Sequence, residues 1–598
     1  MVVEQAGLEV DDDACVVAPE LLDCGTRLGK LVTIPREYIA ALADARVTRS
    51  EMERRQRDVM SGDLVDGDSQ SSAQATTLFR FSPRPHSATS IHWQPWGQTA
   101  FQEAAQLDKP IFLLITSFWC QWCHIMDETT LSEPSIIAIL NRDYVPIRVD
   151  SDLRPDVNQR YNQNGWPSVL LLSPEGEILW GGVYVPPKQM LYYLGHIRRY
   201  YSEHRLEISE QVRELQDRRF TKKLTQALPA AGFRTLFQEE RTALADLPLQ
   251  AGVVLRELYD EEYGGFKIHP HLKFPHPEAL ELLLLLSRHY HQQDALEMVC
   301  YSLEQMLDGG LWDKEEGGFF RYSAGSDWSM PHTEKMLEEN AALLRLLLLT
   351  AEATRSPQWY DYAKRLLAYI NEVLWQPRIG IFSGSQSADE EYYEPGTYSR
   401  VSRQVPPVDT TVYTSWNARM ISTYLLGGQM LHTPSMKTMA IRALDWLCEH
   451  MVHSSGSMCH FMLNGQSQLP GQLADQVWMT RALLDAYDLY ERKAYLEMAV
   501  ALMHYACQEL LDEQSGLFFD YPEDPQAEGR LAIREQPLIE NALAAECLLR
   551  MSVYSKRQSL RDTGLLVLSG CLDKYRRTGI QGAAYACVVA QATANKWL

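Results

Sequence analysis

Cys120-Gln121-Trp122-Cys123 sets two thiols one helical turn apart, directly after the apolar run Ile111–Ile115. A buried strand opening into C-x-x-C with a helix to follow places the first sulfur at free helix N–H groups and a positive dipole end. Both stabilise a thiolate. Cys120 is therefore the candidate nucleophile and Cys123 the resolving thiol, flanked by Trp119 and His124. The same spacing also makes half of a zinc site, but zinc takes four ligands, usually from a second Cys or His pair. The other nine cysteines are singletons, Cys15 and Cys24 stand too far apart for a knuckle, and His124 supplies at most a third ligand. The residues predict redox chemistry, with no metal and no cofactor.

The surrounding pattern supplies what must position these thiols. A helix is predicted over 97–107, a strand over 111–115, and a helix after the cysteines that restarts at Ser132 and Pro134. A second buried strand follows at 144–149, then Gly165-Trp166-Pro167, and a strand pair over 168–172 and 178–180 turned by Pro174-Glu175-Gly176. A helix over 187–201 ends a thioredoxin-like α/β domain at 86–205. In such a fold a cis-proline faces the disulfide from the start of a strand, and Trp166–Pro167 is the candidate.

The net charge of −22 argues against nucleic acid, which needs a basic face. No apolar run reaches membrane-span length. The acidic start and the odd, scattered set of 11 cysteines fit a reducing compartment, read as the cytoplasm. Residues 1–85 read as an extension with a helix over 35–60 and a polar linker over 61–77. From 225 to 598 helical patterns alternate without clear strands, punctuated by Gly264-Gly265-Phe266, Gly317-Gly318-Phe319, Gly380-Ile381-Phe382, Gly456-Ser457-Met458, Gly516-Leu517-Phe518 and Gly579-Ile580. A recurrence of roughly 60 residues signals stacked helical hairpins, each needing neighbours to bury its apolar face. Six hairpins predict an (α/α)6 toroid. An α-solenoid is the alternative, and the long loops, rich in aromatic and charged residues, favour a ring whose loops gather at one mouth. The fold class is thus multidomain, α/β followed by all-α.

Ile91-His92-Trp93, Lys109-Pro110-Ile111, Cys120-x-Trp122-Cys123-His124-x-Met126, Val149-Asp150, Gly165-Trp166-Pro167, Lys273-Phe274-Pro275-His276-Pro277, Arg321-Tyr322-Ser323, Pro331-His332-x-Glu334-Lys335-Met336-Leu337, Thr414-Ser415-Trp416-Asn417-Ala418 and Asp475-Gln476 resemble the spermatogenesis-associated protein 20 family. The resemblance covers roughly 86–598. It implies a thioredoxin-like domain fused to a six-hairpin toroid akin to sugar epimerases and glycosidases. The chain departs from the family at Gln121, where histidine is usual, at Trp119, where a small residue is usual, and at Phe320, which replaces a histidine. Leu114 occupies the place of thioredoxin's buried acid, so His124 or Asp127 is left as proton acceptor for Cys123.

In the helical half, His332 is a candidate acid–base group, with Glu334 beside it at a helix start, while Arg321, Lys335 and Lys273 are candidates to hold an anionic or hydroxylated ligand. Asp409, Trp416 and Asn417 fit a sugar pocket of aromatic face and short polar groups. Each also has a plain structural reading, as helix caps, loop packing or a buried tryptophan. A glycosidase needs two carboxylates, for which Asp409, Asp475 and Glu540 are candidates. The absence of any histidine after His504 speaks against a two-histidine epimerase. The expected function is a thiol–disulfide oxidoreductase module, meeting a protein disulfide or a reductase, coupled to a toroid that binds a carbohydrate-like or other polar small molecule. A sugar-processing enzyme and a non-catalytic redox scaffold are the alternatives, and no nucleic acid or membrane partner is expected.

Overall fold

The computed structural model describes residues 79–226, 238–394 and 400–598. The helix expected over 35–60 and the linker over 61–77 lie outside the described residues. By contacts the described chain falls into two units. The first holds 79–115, Met126–Val149 and Tyr161–Asp217, and the second Thr116–Ile125, Asp150–Arg160 and Arg218–Leu598.

The first unit is built on a four-stranded sheet in the order β2-β1-β3-β4, from β1 (Ile111–Thr116), β2 (Val145–Asp150), β3 (Ser168–Leu172) and β4 (Ile178–Gly182). β1 runs antiparallel to β3, with Ile111 opposite Leu172 and Leu113 opposite Leu170. Both strands are buried along their whole length. That burial on both faces is why they read as continuous apolar runs rather than alternating ones. Phe112, Leu114, Val169 and Leu171 form one core with Leu140 and Leu194, from the helices α3 (Pro134–Asp143) and α5 (Pro187–Glu203). Each of those helices opens with a proline, whose fixed φ suits the first helical turn. Helix α1 (Gln98–Leu107) precedes β1, and α2 (Gln121–Glu128) follows it.

Asp127 is fully buried and takes both guanidinium nitrogens of Arg148, at 2.7 and 2.9 Å, and the Ser82 N–H at 3.0 Å. Arg148 in turn lies over the Phe81 ring. This corrects one expectation. Asp127 is committed to a buried ion pair, not held in reserve as a proton acceptor for Cys123. The Trp166–Pro167 bond is cis, as expected.

Helix α4 (Pro155–Tyr161) belongs to the second unit up to Arg160, α6 (Arg205–Gln226) belongs to the first up to Asp217, and the second unit continues with six helical hairpins. The inner helices are α8 (Pro277–Tyr290), α10 (Leu337–Thr354), α12 (Thr414–Met430), α14 (Leu473–Tyr490), α16 (Leu538–Ser555) and α18 (Ala583–Ala594). The outer ones are α7 (Gln238–Leu258), α9 (Gln293–Asp308), α11 (Pro357–Tyr369), α13 (Pro434–His450), α15 (Lys493–Glu509) and α17 (Gln558–Gly570). Each inner helix packs on the next, and α18 closes on α8, so the ring is an (α/α)6 toroid. The inner helices are buried nearly all round, as Leu343, Leu344, Leu346, Leu347 and Leu348 show on α10. That is the pattern of a helix surrounded by others. Two- or three-residue turns join each inner helix to the following outer one, whereas long loops lead from each outer helix back to an inner N-terminus. All long loops and all inner N-termini therefore share one end.

The glycine–aromatic punctuation closes a tight hairpin at the end of each outer helix. Tyr259 bridges Phe266, Trp312 bridges Phe319, Val452 bridges Met458 and Leu511 bridges Phe518, while Trp375 pairs with Phe382 in a short ladder. Gly318 sits at φ +85°, and a Cβ there would meet the Tyr369 ring at 2.8 Å, so glycine is required. The sixth signal, at Gly579, is a 3₁₀ turn that leads into α18.

Four hairpins are then locked by one device. Asn340, Asn417, Gln476 and Asn541 each stand in the first turn of an inner helix. Each accepts the N–H of Phe319, Phe382, Met458 or Phe518 at 2.7–3.0 Å and donates back to the same residue's carbonyl. Each also donates to the carbonyl four residues upstream. The expectation of a strand-free helical half is corrected here. The mouth loops carry short strands, the longest being β5 (Cys459–Leu463) with β6 (Gln466–Pro470), mostly too brief to leave a period-two pattern. Asn541→Ala orphans a buried N–H and two carbonyls, so a loss of about 2–4 kcal/mol is expected in urea unfolding. Asn541→Asp, which sets a buried carboxylate oxygen against both carbonyls, should lose at least as much as alanine.

Candidate functional site

Helix α2 begins at Gln121, so Cys120 stands at its N-terminal edge. Cys120 and Cys123 are joined as a disulfide, their Cα atoms 5.3 Å apart, and the Cys123 N–H points at the Cys120 sulfur at 3.2 Å. Both cysteines are buried, Cys120 keeping 5% of its surface and Cys123 1%. His124 is buried, and its N–H donates to the Cys120 carbonyl at 3.2 Å. Pro167 belongs to the first unit, at the entrance to β3.

Trp119 is fixed from three sides within the second unit. Its indole N–H donates to Asp152 at 2.8 Å, the Arg321 guanidinium covers its ring at 4.3 Å, and its carbonyl accepts the Ala388 N–H at 3.1 Å. Arg321 also pairs with Glu339 at 3.4 Å and Glu334 at 3.8 Å. Burial pushes the Glu334 carboxyl up to about 7 against the pull of Arg321. His332 is not at a helix start as expected. It pairs with Tyr322 in a two-residue ladder and stacks on that ring at 4.2 Å. Burial, aided by Arg321, lowers its imidazole to about 4, so it is neutral at pH 7.

Four expected ligand residues are spent on structure. Lys273 is buried and gives its ammonium to Asp260 at 2.6 Å and the Ser326 carbonyl at 2.8 Å. Lys335 is fully buried against Asp313 and the Gly317 carbonyl, both at 2.7 Å. Asn417 is the clamp on Phe382 described above. Asp409 is buried and accepts the Thr411 N–H and the Tyr413 hydroxyl, both at 3.0 Å.

Trp416, one residue before a clamp, does face open space. A cavity of about 310 Å³ is lined by Trp416, Trp478, Glu338, Glu540, Arg419 and His460, with Asp156 and Asp520 at its wall. His460 was not anticipated from sequence. Its Nδ1 meets Asp475 at 2.9 Å and its Nε2 the Asp152 carbonyl at 2.9 Å. Asp475 also caps the Ser415 N–H of α12 at 3.0 Å. Although burial opposes it, the Asp475 carboxylate raises the His460 pKa above the usual imidazole value. Glu338 was missed as well. A sequence signal did exist, because Glu338, Trp416, Asp475 and Glu540 each precede a clamping amide by one or two residues. No helix among the described residues is long and apolar enough to cross a membrane.

The His332 shift sets a pH dependence. Above about 6.5, the ordinary imidazole value, folded and unfolded chains both hold it neutral. Between there and about 4 only the unfolded chain takes up the proton, so stability falls as pH falls, and it levels off below that. His332→Phe is expected to make Tm fall less between pH 6.5 and 4 than in the parent; His276, which burial also lowers to about 4, acts in the same sense as His332, and Glu334, raised to about 7, in the opposite sense.

Residues 81–219 match the family Thioredox_DsbH, described as a protein of unknown function, DUF255. Spermatogenesis-associated protein 20 of Homo sapiens is 25% identical over 92% of this chain and 86% of its own. That of Mus musculus is 25% identical over 83% and 77%. Among solved structures, cellobiose 2-epimerase from Bacillus thermoamylovorans B4167 covers 57% of this chain and 88% of its own at 12% identity and TM-score 0.47. Cellobiose 2-epimerase from Spirochaeta thermophila DSM 6192 covers 60% and 97% at 14% identity and TM-score 0.48. The chain is thus similar over most of its length to the proteins named spermatogenesis-associated protein 20, with a segment matching the thioredoxin-like DUF255 model ahead of a six-hairpin toroid.

Proposed function

We propose that Cys120 and Cys123 exchange disulfides and that the toroid mouth binds a polar small molecule. The observation that carries the first part is the Cys123 N–H aimed at the Cys120 sulfur where α2 begins. That donor and the helix dipole favour the thiolate of Cys120 over the thiol. In the reduced protein the Cys120 thiolate attacks one sulfur of a substrate disulfide, forms a mixed disulfide and expels the other sulfur as thiolate. The Cys123 thiolate then attacks the Cys120 sulfur, which releases the second substrate thiolate and closes the Cys120–Cys123 bond. The substrate gains two electrons, and a dithiol reductase returns them to the protein. In this reading Trp119 flanks the attacking sulfur, and His124, next to Cys123 in sequence, is the candidate proton carrier. The seven other described cysteines are unpaired, which supports a reducing setting, the cytoplasm.

The support for the second part is the mouth cavity itself, with two indoles and several ionisable groups converging on one space. A carbohydrate-like ligand fits that description.

Thiolate absorbance against pH and reduction of a model disulfide test the redox reading. Cys120 is expected to titrate well below the ordinary value of about 8.5. Cys120→Ser should abolish reduction, and Cys123→Ser should trap the mixed disulfide. An ordinary thiol titration together with full activity in Cys120→Ser would overturn it in favour of a scaffold. For the mouth, a thermal-shift screen should find a ligand whose effect disappears in Trp416→Ala.

A further inference from the structure

The ionisable groups that line the mouth cavity pair off, with two exceptions. Asp156 is held by Arg154 at 2.7 Å, and Asp520 by Arg160 at 2.7 Å. Arg419 is bonded to Glu278, and His460 to Asp475. Glu338 and Glu540 remain. Among the described residues neither carboxyl has an ion-pair partner, and the Glu540 carboxyl is hydrogen-bonded to its own backbone N–H. Glu338 stands in the first turn of α10 and Glu540 in the first turn of α16. Those helices are three places apart either way around the ring, so the two carboxyls approach the cavity from opposite walls. Trp416 and Trp478, from α12 and α14, provide aromatic surface between them.

Resting on the reading of the mouth as a small-molecule site, we propose that this cavity binds an organic cation bearing ammonium groups, held between Glu338 and Glu540 against the indoles of Trp416 and Trp478. A carboxylate in a partly dry cavity without a counter-charge is costly, and a bound ammonium supplies that charge. An indole face adds cation–π attraction. A neutral sugar brings hydroxyls but no charge, so it leaves Glu338 protonated and Glu540 without a counter-charge, and an anionic ligand worsens the balance. The surroundings of the two carboxyls act in the same sense. Burial and the neighbouring Glu339 and Asp152 outweigh Arg419 and Arg321 and push Glu338 up to about 8. Burial and Asp520 likewise raise Glu540. Binding a cation at neutral pH therefore draws a proton off Glu338.

Titration calorimetry of the full chain with putrescine, glucosamine and glucose, in two buffers of different ionisation enthalpy, tests this. Putrescine or glucosamine is expected to bind with net proton release, and the tighter of the two identifies the ligand as a diamine or an amino sugar. Glu338→Gln and Glu540→Gln, whose unchanged Tm would show intact folding, should each weaken amine binding at least tenfold. Should either variant fail to fold, proton release by the parent protein decides alone. Glucose binding through Trp416 without any amine binding, or amine binding without proton release and indifferent to both variants, would overturn the inference and leave the small-molecule reading standing. Silence of all three probes, with no hit in the thermal-shift screen, would remove both.

Discussion

The second unit depends on one recurring constraint: a long loop must re-enter a buried inner helix without leaving backbone groups unpaired. Asn340, Asn417, Gln476 and Asn541 meet it identically, each amide satisfying both polar groups of the residue that ends the glycine hairpin. An amide has one acceptor oxygen and two donor hydrogens, and all three are used here. A carboxylate or hydroxyl at the same place has too few donors. The clamps thus fix where each inner helix begins, and the residues just before them inherit that position. Glu338, Trp416 and Glu540 line the mouth because the next residue or two are anchored, while Asp475, placed the same way, is buried against His460.

The same economy explains why strong charges vanish from the candidate site. Lys273 with Asp260, and Lys335 with Asp313, are buried pairs that hold glycine hairpins in place. Breaking one of them would leave a buried charge uncompensated, typically a cost of about 3–5 kcal/mol. Further along the inner helices, Arg345 meets Glu281 at 3.1 Å and Arg550 meets Asp485 at 2.8 Å inside the ring. Charge within the toroid is therefore matched almost everywhere, and the unmatched carboxyls at the mouth stand out against that background.

Much of this was legible in the sequence. The apolar run before Cys120, the Trp166–Pro167 pair and the glycine–aromatic punctuation each reflect a local demand on the backbone, and local demands leave local signatures. What the sequence concealed was direction. Trp416 and Asn417 are neighbours, yet a helix turns each residue about 100° from the last, so one lines the cavity and the other clamps a loop. Lys273 resembles a ligand residue until Asp260, thirteen residues upstream, is seen beside it. Glu338 sits in Leu-Glu-Glu-Asn, a string that reads as an ordinary solvated helix start, because burial by other hairpins is not written locally.

The claim that the amide clamps hold the mouth is tested most directly by native-state hydrogen exchange of the four backbone amides they receive, those of Phe319, Phe382, Met458 and Phe518. The account predicts protection comparable with the inner-helix core and lost only in global unfolding, since each N–H is buried and bonded to a fixed side chain. Exchange at the rate of an exposed loop would contradict it, because the hairpins would then be opening independently of the ring.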